Sequence, residues 1–260
     1  MKLNSNYVGL TFQTTNFGEV VVLEYTNNKD VLVEFKNTGT RVNVQLTQLK
    51  KGNIRDKEQP SVYNVGIVGD GIVKENGKLT NSYNIWRGML SRCYNEVTQE
   101  KQPTYQGCQV SENFKRLDYF QKWCLNQKGF GLKGWVLDKD ILSDGNLLYS
   151  EDTCCFVPQH VNNLFRKQPK LSSHPQGIMV NKYGSYEVYV GCNNTNLYFG
   201  SFKNEKEAID IYKAKKYDIV SKIVEGYKDQ LDERVYNSII NKFKPEVIVP
   251  DIDLKTSVTQ

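Results

Sequence analysis

A short acidic and basic cluster, Asp138-Lys139-Asp140, lies at the end of a predicted strand. Carboxylate oxygens are ligands that suit a hard cation such as Mg²⁺. The helix predicted to follow carries His160 and Asn163 about one turn apart, so both side chains share one side of it. These residue types suit one Mg²⁺ held by Asp138, Asp140 and His160, with Lys139 and Asn163 as further candidate catalytic residues.

The same residues also fit a purely structural interpretation, which the sequence leaves equally open. Asp138, Asp140 and Asn146 are turn-forming residues, and His160 can be an ordinary residue of a first helical turn. A lysine such as Lys139 acts as a base only when its surroundings disfavour the ammonium form.

The six cysteines could supply a different metal chemistry, but none of them forms a Cys-x-x-Cys pair. A zinc site built from Cys93, Cys108, Cys124 and Cys154 is less favoured than a set of buried thiols. We therefore expect reduced cysteines and no zinc.

The elements that position these groups form a central segment, residues 76–168. Ile85, Met89 and Cys93 give one apolar face to a helix over residues 81–95, and a second helix is predicted to begin near Ser111. The sequences WVLDKDI and CCFVP then read as two strands, followed by a short helix after Pro158. This segment is predicted to be a ββα hairpin preceded by helices.

The flanking segments are richer in strands. Residues 1–75 contain three strand-like runs, GEVVVLEY, DVLVEF and TRVNVQL, separated by polar turns, which predict a small β-barrel with a structural or protein-binding role. In the second run Val31, Val33 and Phe35 alternate with Leu32 and Glu34, as in a half-buried strand. Residues 169–245 read as three short strands and two helices, the first helix from Asn204 and the last from Tyr227 to Phe243. Residues 246–260 are expected to be a tail. The predicted fold class is therefore α+β, with an antiparallel three-stranded sheet packed on helices at the C-terminal end.

Alternation assigns two faces to the C-terminal sheet. The face predicted to be buried consists of Tyr186, Val188, Val190, Leu197 and Phe199. The face predicted to be free consists of Asn181, Tyr183, Ser185, Tyr189, Asn196 and Tyr198, and Lys182 lies beside it in the first turn. These residues are the candidate contacts to duplex DNA. Asparagine can read adenine, whereas tyrosine, serine and lysine reach phosphates and sugars.

Residues 177–217 resemble the Apetala (ethylene-response-factor) type DNA-binding domain. The family pattern Gly-Val-Arg-x-Arg-x-Trp-Gly-Lys-Trp/Phe aligns with residues 177–186, and Leu-Gly-x-Phe aligns with Phe199 to Phe202. The resemblance implies that the sheet enters a major groove. Met179, Asn181, Gly191 and Asn196 stand where the family has arginines, so strong guanine readout is not expected.

Residues 83–165 resemble phage-encoded, homing-like HNH endonucleases. The matching residues are Trp86, Met89, Arg92-Cys93, Leu137-Asp138-Lys139, Gly145-Asn146, Tyr149-Ser150, Cys154, Pro158 and Asn163. The resemblance implies a Mg²⁺-dependent DNA endonuclease of phage origin. Lys139 replaces the histidine of that family and Thr153 its central asparagine, so a non-catalytic DNA-binding or anti-host protein is the alternative.

Charge and hydropathy agree with a nucleic-acid partner. The net charge is +5 and the pI is near 8.7, which favours a polyanion only mildly. The sequence contains no apolar run long enough to cross a bilayer and no signal-peptide pattern. We expect a cytoplasmic protein with duplex DNA as its partner, no membrane, and a protein partner as an alternative for the N-terminal segment.

Overall fold

The chain has a mixed α+β architecture, in agreement with the predicted class. The computed structural model describes residues 6–165, 174–192 and 195–246. Two compact units can be distinguished, Met1–Cys124 with Leu147–Ser150, and Leu125–Asn146 with Glu151–Gln260. The division after Cys124 falls within the predicted segment 76–168, and the predicted boundary at residue 168 and nearly all of the tail lie outside the described residues.

The N-terminal sheet is an antiparallel meander followed by a short helix. Its strands are β1 (Thr11–Gln13), β2 (Glu19–Asn27), β3 (Asp30–Phe35) and β4 (Arg41–Val44), in spatial order β1-β2-β3-β4, and α1 (Leu46–Lys50) follows. Val31, Val33 and Phe35 of β3 are fully buried, as their alternation predicts. Within residues 6–55 no pairing joins β1 to β4, so the sheet is open where a closed barrel was predicted.

The rest of the first unit is mainly helical. A small hairpin of β5 (Lys74–Glu75) and β6 (Lys78–Leu79) precedes α2 (Asn81–Tyr94), α3 (Glu96–Lys101), β7 (Gln109–Val110) and α4 (Leu117–Leu125). Thr80 caps α2, because its hydroxyl accepts from the Tyr83 amide. The predicted helix over residues 81–95 is confirmed, whereas the second helix begins at Leu117, after a 3₁₀ turn at Asn113–Lys115.

The predicted ββα order is present in the second unit. Strand β8 (Trp135–Asp138) pairs antiparallel with β10 (Cys155–Pro158), and α5 (Gln159–Asn163) follows directly. Between them, β9 (Leu148–Tyr149) belongs to the first unit, where it pairs in parallel with β7. Pro158 initiates α5, as its fixed φ favours.

The C-terminal sheet has the order β11-β12-β13, with β11 (Ile178–Val180), β12 (Tyr186–Cys192) and β13 (Thr195–Phe202). Helix α6 (Glu205–Glu225) begins at its N-cap Asn204, as predicted. Helix α7 (Glu233–Phe243) begins six residues later than the predicted Tyr227, directly after its N-cap Asp232. The first half of α6 packs on the sheet, and its second half packs with α7, α5 and the β8–β10 hairpin in one core. The hairpin and the sheet therefore belong to the same unit. In the part of the chain that the structure describes, no helix is long and apolar enough to cross a membrane.

Candidate active site and DNA-binding face

Asp138 ends strand β8 and lies opposite Cys155. Its Oδ1 accepts hydrogen bonds from the backbone amides of Asp140 and Ile141, both at 2.8 Å. This arrangement turns the chain away from the strand, as aspartate commonly does. Burial raises the pKa of Asp138 and the nearby Asp140 carboxylate adds to the effect, while the two backbone amides oppose it.

Lys139 is buried, with 7% of its side chain exposed. Its ammonium donates to Asp140 Oδ1 at 2.6 Å and to the carbonyl oxygen of Asn146. The Asn146 side-chain amide in turn donates to the Lys139 carbonyl at 3.1 Å. Lys139 and Asn146 thus close the loop between them.

Helix α7 fixes the same loop from another side. The Ser238 hydroxyl donates to the Ile141 carbonyl at 2.5 Å, and the Lys242 ammonium donates to Asp144 Oδ1 at 2.9 Å. The loop over residues 139–146 is therefore anchored at both ends and in its middle.

The strand register places the start of α5 at the other end of the β8–β10 pair from Asp138. Pro158 lies opposite Trp135, whereas Cys155 lies opposite Asp138, so α5 begins about 10 Å along the hairpin from Asp138 at 3.3 Å per residue. The His160 ring lies 5.2 Å from the Tyr227 ring, and Asn163 Oδ1 accepts from Gln159 at 3.2 Å.

The predicted metal ligands Asp138, Asp140 and His160 do not form a cluster. Among the described residues, no group of three or more His, Cys, Asp or Glu side chains is placed to hold a metal ion. The carboxylates are used by the turn and by Lys139, and His160 lies in the first turn of α5. The hairpin topology was predictable from sequence, but the convergence expected of these side chains is not observed.

The six cysteines are not linked by disulfides within the described part of the chain. Five of them are buried, namely Cys93, Cys108, Cys124, Cys154 and Cys155, and Cys192 is partly exposed. Burial raises the pKa of the Cys155 thiol well above its usual range. A neutral buried thiol behaves as a small apolar side chain.

The C-terminal sheet has the two faces that alternation predicts. Tyr186, Val188, Val190, Leu197 and Phe199 all contribute to the core against α6. On the other face Tyr189 pairs with Tyr198 and Gly191 pairs with Asn196, and the two tyrosine rings are 5.3 Å apart. Exposed Met179 lies on the same face, because it pairs with Glu187.

The β11–β12 turn uses the side chain of Asn181. Its Oδ1 accepts from the backbone amides of Tyr183 and Ser185 at 3.0 and 3.1 Å, and its Nδ2 donates to Glu187 at 3.2 Å. The side chain of Asn181 therefore shapes the turn. The sequence had predicted that its amide would be free to contact a base. Tyr183 is 80% exposed, with the Lys182 ammonium 5.0 Å from its ring.

Glu187 is the main residue of this face that sequence analysis missed. It pairs with Met179 and Ser201, and one of its oxygens accepts from the Tyr189 hydroxyl at 3.0 Å. Burial, followed by this hydrogen bond, raises the pKa of Tyr189. Alternation placed Glu187 on the same face as Tyr189, so the sequence carried the signal.

The lysines of α6 lie on the helix that covers the opposite face of the sheet. Lys215 lies 3.7 Å from Asp218, and burial lowers the pKa of Lys216. Among the described residues, Lys182 and Lys203 are exposed and lie in loops next to the strands of the sheet.

Comparisons with protein-family models, with curated proteins and with solved structures found no match for this chain.

Proposed function

We propose that this chain is a duplex-DNA-binding protein and that the free face of the β11–β13 sheet contacts the DNA. The observation that carries the proposal is the division of this sheet into a core face and a solvent-facing tyrosine and asparagine face. Three strands about 4.8 Å apart span about 10 Å, which matches a major groove about 12 Å wide. Tyrosine hydroxyls suit contacts to phosphates and sugars.

The placement of cations limits how strongly such a complex depends on salt. Lys182 and Lys203 lie next to the sheet, whereas the α6 lysines lie behind it. About two DNA phosphates are then neutralised on binding, so a plot of the log of the binding constant against the log of the salt concentration should have a slope near −2. This is shallower than the steep dependence expected when every lysine of the segment is counted.

A matched pair of lysine variants tests the face that is used. Lys182→Ala should lower duplex affinity in fluorescence anisotropy and reduce the salt slope by about 1. Lys213→Ala removes the same charge from the exposed side of α6 and should change neither. The reverse result would assign binding to the helix side and overturn the proposal.

For the hairpin, we propose a non-catalytic scaffold role, in line with the alternative of a DNA-binding or anti-host protein. The ion pair and carbonyl contact of Lys139 and the capping role of Asp138 support it. A Mg²⁺-dependent, phage-type HNH endonuclease is the second candidate. It is favoured by the partly buried carboxyl of Asp138, which stands where the first strand of the ββα hairpin ends.

Plasmid nicking separates the two candidates. The scaffold role predicts equal amounts of nicked plasmid with Mg²⁺ and with EDTA. The endonuclease predicts Mg²⁺-dependent nicking that is lost in Asp138→Asn and retained in Asp152→Asn, a control that removes an exposed carboxylate from the same unit.

A further inference from the structure

Arg92, in the last turn of α2, has an aromatic ring on two sides. Its guanidinium carbon lies 5.5 Å from the ring centroid of Tyr105 and 5.5 Å from that of Tyr149. Both distances are within the range of about 6 Å for cation–π attraction. Its Nε donates to the Gly88 carbonyl at 3.2 Å.

The elements around Arg92 hold this arrangement in place. Tyr149 is 1% exposed and is fixed by the parallel pairing of β9 with β7, in which it lies opposite Val110. The Gln99 side chain donates to the Arg92 and Cys93 carbonyls at 3.3 and 2.7 Å, which closes the end of α2. Tyr105 is partly exposed, so the guanidinium lies between one buried ring and one partly exposed ring.

The charge of Arg92 has no acidic partner among the described residues. Arg116 in the same unit shows the contrast, because it pairs with Glu58 at 2.7 Å and with Asp118 at 2.9 Å. Burial lowers the pKa of Arg92, but Tyr149 and Tyr105 oppose it and the net direction is upward, so the group stays charged. A desolvated guanidinium normally has an anionic partner.

We propose that Arg92 and Tyr105 form a phosphate-binding site. With Nε bound to Gly88, the Nη edge of the guanidinium presents the forked pair of donors that matches two oxygens of a phosphate group. The phosphate can be free or can be a phosphodiester of nucleic acid. The site lies in the first unit and does not depend on DNA binding by the C-terminal sheet.

Thermal unfolding of the full chain with inorganic phosphate tests the site. Replacing chloride by about 50 mM phosphate at constant ionic strength should raise the wild-type Tm by about 3 °C. Arg92→Gln should lose this response, whereas Arg87→Gln, which removes an exposed charge from the same helix, should keep it. Equal responses of the two variants would overturn the proposal.

Two further measurements test the proposal if the Arg92→Gln variant does not fold. Arg92→Lys keeps the charge but not the forked edge, so it should lose most of the phosphate response, and a full response would contradict the site. In the wild type, phosphate should cause saturable NMR shifts at the amides of Gly88, Arg92 and Tyr149. Shifts that are linear, or spread over the lysines of α6, would also contradict it.

Duplex DNA identifies the source of the phosphate. If the bound group is a phosphodiester, Arg92→Gln should weaken duplex affinity several-fold relative to Arg87→Gln. If it is free phosphate, the two variants should bind DNA equally, while only Arg92→Gln loses its response to phosphate.

Discussion

Replacing Glu187 by glutamine should strengthen DNA binding. Glu187 pairs with Met179 and Ser201 on the face of the sheet that we propose contacts DNA, and its oxygens accept from Asn181 and Tyr189. A phosphate approaching this face therefore meets a negative charge. Glutamine keeps a side-chain oxygen that can accept one of these hydrogen bonds, so the sheet should retain its fold.

The size of the effect follows from Coulomb's law. At a separation of about 7 Å and an effective dielectric constant of about 60, two unit charges repel by about 0.8 kcal/mol, which corresponds to about a fourfold change in affinity. Because the Debye length falls from about 30 Å at 0.01 M salt to about 8 Å at 0.15 M, the gain should shrink as salt rises.

Fluorescence anisotropy with a duplex at low and moderate salt measures this gain. Glu233→Gln is the matched control, because it removes an exposed carboxylate from the first turn of α7 in the same unit. We expect a fourfold gain for Glu187→Gln and a much smaller one for Glu233→Gln. Equal affinities for both variants, or a loss for Glu187→Gln with the fold intact, would refute the proposed orientation of the sheet.

Three further predictions concern stability. Gly177→Ala should lower the unfolding free energy, measured in urea, by about 3 kcal/mol or more. The reason is that φ is +81° at Gly177 and a Cβ there would lie 2.1 Å from Tyr212 Cε2. At Gly184 φ is +79° but no atom lies near the added Cβ, so Gly184→Ala should lower it by only about 1–2 kcal/mol. Asn181→Ala should lose about 1–3 kcal/mol, since two backbone amides lose their acceptor, while Tyr183→Ala should stay within about 0.5 kcal/mol; equal losses would contradict the turn assignment. Burial raises the pKa of Asp138, so the folded protein binds a proton at this carboxyl more tightly than the unfolded chain does. The resulting gain in unfolding free energy is fully present below the unfolded pKa of about 3.9 and is lost as pH rises through the folded pKa. Asp138→Asn should therefore be more stable than the wild type at neutral pH, with a difference that vanishes near pH 3; a constant difference across pH would exclude this cause.

The fold was predictable where one periodicity dominated. Alternation in β3 and in β12 and β13 identified the buried faces, because each strand has one face on a core. The predicted start of α7, Tyr227, was wrong for a local reason. Tyr227 to Leu231 forms a separate helical turn, in which the Leu231 amide donates to the Tyr227 carbonyl at 2.9 Å, and extended Asp232 interrupts it.

The site was harder to predict because its contacts join residues distant in sequence. One partner of Lys139 is a carbonyl seven residues away, and Ser238 contacts the same loop from 97 residues away. Residue types alone made Asp138 and Asp140 look like metal ligands, whereas their backbone and lysine contacts depend on how the loop folds. The role of Asn181 was missed for a different reason. Its contacts with the amides of Tyr183 and Ser185 are local, but residue type alone does not distinguish an asparagine that shapes a turn from one that contacts a base.

Site-specific crosslinking tests the central claim most directly. A benzoylphenylalanine at Met179, which is 61% exposed on the free face, should crosslink to bound duplex DNA in the full chain. The same group at Lys213, on the exposed side of α6, should not. Crosslinking from position 213 alone, or from neither position when the duplex is saturated, would contradict DNA binding by this face of the sheet.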